Sequence, residues 1–122
     1  MNIDEIQTYS HADLTTFTLL EDAGNWRVVQ SSAFKKGMKK HRNNKVVVAA
    51  FKEIMNFIKS HDGVPPVRSY PPHLNVHHIK RHATHAGSMW AHLQGQKIGL
   101  MFYVDPNEVK LIHIGSHQQV NL

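Results

Sequence analysis

Residues 98–115 read IGLMFYVDPNEVKLIHIG, and the fold follows from this stretch. Ile98 to Val104 is nearly all apolar, the pattern of a strand buried in the middle of a sheet. Asp105-Pro106-Asn107-Glu108 supplies turn chemistry, and Val109 to Ile114 returns before Gly115. Two such runs joined this closely predict an antiparallel pair. Upstream, Met89 to Leu93 alternates apolar Met89, Ala91 and Leu93 against Trp90 and His92, with Gln94-Gly95-Gln96 as the turn into Ile98. Leu74 to Ile79 reads as one more strand, separated from Met89 by a polar, basic loop from Lys80 to Ser88.

The preceding half is helical. From Lys45 to about His61, Val47, Phe51, Ile54, Met55 and Ile58 recur at helical spacing as one apolar stripe. That stripe outweighs the strand preference of Val46-Val47-Val48. Asp62-Gly63 ends the helix, and Pro65-Pro66 and Pro71-Pro72 bracket an extended loop. Ser31 and Ser32 are N-cap residues for a Lys-rich helix from about Ala33 to His41, anchored by Phe34 and Met38 and weakened by Gly37. Trp26 to Gln30 reads as the first strand. Residues 1–24 show no clear periodicity and read as an acidic arm, with a short helix from Ser10 capped on Asp13. The order β-α-α-β-β-β-β predicts an α+β fold, a two-helix hairpin packed on a four- to five-stranded antiparallel sheet. The arm takes residues 1–24 and the domain residues 25–122.

The chain has 122 residues, room for a single core, and contains no cysteine, which excludes disulfides and thiolate metal sites. No apolar run approaches the ~20 residues that span a bilayer, so a soluble, cytoplasmic protein is expected, with no membrane partner. Charge is uneven. Residues 1–22 hold five acids (Asp4, Glu5, Asp13, Glu21, Asp22) and no Lys or Arg. Residues 23–122 hold fourteen Lys and Arg against four acids, a formal net of +10. Such a field attracts polyanions. Histidine is enriched as well, with eight of eleven from His73 onward. Imidazole exchanges its proton near neutral pH, so the enrichment suggests acid–base chemistry, metal binding or a pH switch.

The segment from Val28 through Ser31 to Lys40 resembles the opening strand and Lys-rich first helix of the RelE/ParE superfamily of type II toxins. Lys97 to Val104 and Leu111 to His117 resemble that family's last two strands, and the closing Gly115-Ser116-His117 is typical of the YafQ-like and HigB-like ribonuclease branches. Trp90-Ala91-His92-Leu93 resembles the preceding strand, and His77-His78-Ile79-Lys80 resembles the stretch entering the site from the first strand of the meander. The likeness covers about residues 26–118. It implies the toxin of a toxin–antitoxin system, an mRNA interferase that blocks translation and needs no cofactor. It also implies mRNA as substrate, a ribosome contact and a cognate antitoxin. The chain departs from the family in three ways. His113 stands where the family usually places a phosphate-holding arginine, the loop from Arg81 to Ser88 is longer, and the acidic arm has no counterpart.

Cutting RNA without metal requires removing the 2′-OH proton, protonating the departing 5′-oxygen and neutralising the phosphate. His92 and His113, alternating with apolar neighbours, are expected to face away from the helices. With the resemblance, the expected roles are His92 as general base, His117 as general acid, and His113 with Lys80 or Arg81 as phosphate clamp. Which imidazole abstracts and which donates stays open. His77 and His78 are further acid–base candidates, Lys97 a further phosphate ligand, and Tyr103 or Phe102 a surface for stacking a base. Three other readings compete. One is a ParE-like toxin that inhibits gyrase, another a non-catalytic RNA- or ribosome-binding module. The third is a zinc site on His77, His78, His82 and His85, disfavoured because no acid lies between Asp62 and Asp105.

Overall fold

The computed structural model describes residues 10–79 and 87–120. Its elements begin where side chains satisfy the backbone. Ser10 and Asp13 form a capping box that starts a short helix, α1 (His11–Thr15). Strand β1 (Phe17–Ala23) turns at Gly24, whose φ of +60° costs glycine little, into β2 (Trp26–Ser31). The Ser31 hydroxyl accepts from the Phe34 amide to cap α2 (Ser32–His41), and the Asn44 side chain accepts from the Val47 amide to cap α3 (Lys45–Ser60). After α3 come two 3₁₀ turns, Val67–Ser69 and Pro72–Leu74, and a two-residue strand β3 (His77–His78). Strands β4 (Met89–Gln94), β5 (Ile98–Asp105) and β6 (Glu108–Gly115) form the meander, and a 3₁₀ turn at His117–Val120 follows.

The sheet order is β1-β2-β6-β5-β4-β3. The two helices, the meander and the α+β class agree with the sequence reading. Three details differ. The sheet has six strands, not four or five, because Phe17–Ala23 hairpins onto β2 instead of forming an irregular arm. The sheet is mixed, since β2 runs parallel to β6 with Val28 opposite Val109. And β3 is far shorter than Leu74 to Ile79, because Pro71, Pro72 and left-handed Asn75 (φ 45°) keep the preceding residues out of strand geometry.

Each face of the sheet carries its own packed cluster. Val47, Ile54 and Ile58 of α3 and Phe34 of α2 cover Ala91, Leu93, Leu100, Phe102, Leu111 and Ile114. Alternation along the strands sends Trp90 and Met101 to the other face, where Leu14 of α1, Ala33, Ile79, Ile112 and Val120 join them. A bulge on β6, where Ile112 is the extra residue between Leu111 opposite Phe102 and His113 opposite Met101, lets Ile112 as well as His113 lie on this second face. The described part of the acidic stretch is therefore built into the fold, with Leu14 buried and Glu21 bonded to Lys59 at 2.7 Å.

Candidate active site

The second face assembles the histidines. Strand register places His77 opposite Trp90, and His92 lies two residues beyond Trp90, so all three share that face. The His77 and His92 rings are 5.6 Å apart between centroids, and His92 is 6.3 Å from His117. Trp90 is their common floor: its indole meets His117 edge-on at 4.3 Å and stacks 6.3 Å from His113. Gly99 makes that floor possible, because a Cβ there would overlap the Trp90 ring.

Backbone carbonyls orient the rings. His92 Nδ1–H donates to the Gly95 carbonyl at 3.1 Å, and His77 Nδ1–H donates to the Asn75 carbonyl at 3.0 Å. In the neutral form each ring then keeps its Nε2 lone pair for other work. His117 differs. Its Nε2 is buried without a hydrogen-bond partner, as is the Trp90 indole nitrogen. A buried N–H without an acceptor is costly, so neutral His117 is better served with its proton on Nδ1. Burial holds the His117 titration below the usual imidazole value, and the neighbouring His92 and His77 push it the same way.

Solved structures share this architecture. YafQ from E. coli strain BL21(DE3) superimposes with a TM-score of 0.58 at 14% identity, over 75% of this chain and 92% of that one. The chain has the YafQ fold. The E. coli DinJ–YafQ complex gives 0.54 at 17% identity, over 75% and 93% of the two chains. A copper-bound mutant toxin from Helicobacter pylori gives 0.56 at 16%, over 76% and 96%. No protein-family model matches the sequence, nor does any curated protein.

On this YafQ-type sheet the remaining candidates separate. His113 lies on the expected face but is 0% exposed, which overturns its reading as an outward, protonated phosphate clamp. It sits on a central strand under Trp90, and burial pushes its pKa down to about 4, with the Ser116 hydrogen bond opposing and His41 and His117 reinforcing the shift. At neutral pH it is an uncharged packing residue, and its Nε2–H donates to the Ser116 carbonyl at 3.1 Å. That bond ties down the turn leading into His117. His78 points to the opposite face from His77, so it does not join the cluster. Lys97 is exposed in the same turn whose Gly95 carbonyl holds His92. Tyr103 is partly exposed near the other end of β5. Lys80 and Arg81, together with His82 and His85 of the alternative zinc site, lie outside the described residues. Among the described residues, no three His, Asp or Glu side chains are placed so that they could hold a metal ion.

Sequence reasoning missed Trp90 as the floor of the site. The signal was available in Gly99, a glycine inside an otherwise apolar strand, which marks close approach by a neighbour. It also missed Lys110, whose ammonium lies 5.9 Å from the centres of both the Phe17 and Tyr103 rings.

Proposed function

We propose that this chain is the toxin of a toxin–antitoxin pair, a metal-independent endoribonuclease that cleaves mRNA and so inhibits translation in the cytoplasm. The observation that carries the reading is the convergence of His77, His92 and His117 on one sheet face, with ring spacings of 5.6 and 6.3 Å. Two hydrogen bonds of about 3 Å, one from each of His92 and His117, suffice to bring a single phosphodiester between them.

In this reading Nε2 of His92 accepts the proton of a 2′-OH, and the freed oxygen attacks the adjacent phosphorus. The P–O5′ bond breaks, and His117 delivers its proton to the departing 5′-oxygen. The products are a 2′,3′-cyclic phosphate and a 5′-hydroxyl. With His113 buried and neutral, the cation that offsets phosphate charge is Lys97, which does the work of the family's arginine. Lys80 and Arg81 are further candidates for this task. The formal +10 of residues 23–122 draws the polyanion in. DinJ accompanies YafQ in solved complexes, and by analogy a cognate antitoxin is expected to cover the same histidine-bearing face and its cationic surroundings.

The test is incubation of the purified protein with RNA, free and ribosome-bound, in the presence of EDTA. Cleavage that survives chelation and leaves 2′,3′-cyclic phosphate ends is expected. His92→Ala and His117→Ala should each lower the rate by roughly 10²- to 10⁴-fold without loss of fold. RNA that is bound but never cut would reduce the chain to a binding module. Activity lost to EDTA and restored by zinc would replace the mechanism.

A further inference from the structure

His78 and Tyr103 were expected to act on RNA, yet neither belongs to the histidine cluster. Both instead line a cleft of about 390 Å³ at the end of the sheet, which Pro65, Pro66 and Val67 of the segment after α3 and Met89 of β4 also line. We propose that this cleft receives a nucleobase of the same RNA strand that the cluster cuts. The proposal rests on the nuclease reading for the identity of its ligand.

The chemistry of the lining selects the occupant. Among the described residues no Asp, Glu, Lys or Arg lines the cleft, so those side chains offer no charge to hold a phosphate or an ammonium. It offers proline, valine and methionine surface beside the rings of Tyr103 and His78, both of them solvent-exposed. Apolar walls with one or two exposed rings suit a flat, uncharged heteroaromatic, held by stacking and by a few polar contacts at its edge. The His78 imidazole, with one donor and one acceptor nitrogen when neutral, is the group able to read that edge. Immediately outside, the Lys110 ammonium lies 5.9 Å from the Tyr103 ring centre and is shared with Asp105 at 3.6 Å. A base against Tyr103 would thus bring its phosphate near a cation.

Position links the cleft to the cluster. His78 pairs with Met89, and the next pair along the same two strands is His77 with Trp90. The cleft therefore lies at the edge where the two faces meet: His78 faces away from the cluster, whereas Tyr103, alternating with Phe102 and Val104 of the helix-covered face, faces the cluster's side. From Met89 to His92 is three residues, about 10 Å along a strand. Recognition at such a distance from the scissile bond would set base preference without touching the acid–base groups.

The experiment has two arms. Nucleoside 5′-monophosphates of the four bases are titrated into the wild-type protein while the Val67 and Val104 methyl and His78 ring resonances are followed by NMR. A short 2′-O-methyl RNA, which cannot be cleaved, is bound to wild type, Tyr103→Leu and Tyr103→Trp. The expected result is that at least one monophosphate moves the cleft resonances. Tyr103→Leu should bind the RNA roughly tenfold more weakly, with Tyr103→Trp restoring affinity. Unmodified RNA should then show a raised KM with unchanged kcat for Tyr103→Leu. Unmoved cleft resonances, or equal affinity of wild type and Tyr103→Leu, overturn the proposal even if the protein cuts RNA. Moved resonances in a protein that never cuts RNA sustain the cleft and remove the nuclease.

Discussion

A buried, uncharged histidine makes the fold sensitive to acid. The unfolded chain takes up a proton at His113 near the ordinary value of 6.5, whereas the folded chain refuses it until about pH 4. Between those two values the unfolded state binds more protons, so stability falls as pH drops from 6.5 toward 4 and is regained as pH rises. The loss at the lower end is on the order of 3 kcal/mol. Urea denaturation across that window, compared with His113→Gln, should show a flatter pH profile in the variant. Parallel profiles would mean that other groups carry the acid sensitivity. His117 responds to its neighbours instead. Burial is the larger cause of its lowered titration, but the His92 imidazolium adds to it. Replacing His92 with Ala should therefore move the His117 titration upward, measurable from its ring proton shifts. An unmoved titration would place the two rings out of electrostatic reach.

At the scale of elements, Ser31 joins three of them. Its hydroxyl ends β2, accepts from Phe34 to cap α2, and donates to the Ile112 carbonyl at the β6 bulge. The side chain is fully buried, so alanine there leaves both partners without a bond and without water. Ser31→Ala should cost about 2 kcal/mol, read as a lower urea midpoint at unchanged slope. An unshifted midpoint would show that the helix start and the bulge are held by packing alone. A second junction is Gly37. A Cβ on this α2 residue would overlap the Ile114 carbonyl, so the helix lies on β6 closer than any other residue would permit. The glycine that weakens α2 as an isolated helix is thus what lets it dock.

At the scale of the molecule, two acids from the N-terminal stretch meet bases of the domain. Asp13 lies 3.7 Å from Lys36, and Glu21 is bonded to Lys59. These contacts, with buried Leu14, tie α1 and β1 to the rest. Deleting residues 1–23 should therefore lower stability, chiefly by stripping apolar cover from the second face and exposing the edge of β2. Whether these acids also withhold a cation from RNA is tested by Glu21→Gln, which frees Lys59 while keeping the strand. If that lysine then joins the RNA-binding surface, the salt dependence of RNA affinity steepens by about one in log–log slope. An unchanged slope would confine Lys59 to a structural pairing.

The sequence by itself determined the elements whose signals are local. The apolar stripe of Val47, Phe51, Ile54, Met55 and Ile58 specified α3, and the turn residues at 94–96 and 105–108 specified the meander. Alternation around Trp90 was enough to place His92 on the face away from the helices. Tertiary structure decided whatever depended on a distant neighbour. Strand β1 carries mixed polarity and is a strand because β2 is its partner. The same alternation placed His113 on the correct face, but strand period reports direction and says nothing of what lies over that face. Trp90 and the turn at His117 cover it, and so an imidazole read as a clamp is a neutral core residue. His77 and His78 show the limit most plainly. Adjacent and chemically identical, they fall on opposite faces of one strand, one beside the acid–base cluster and one in the cleft. Only the register against β4 decides which is which.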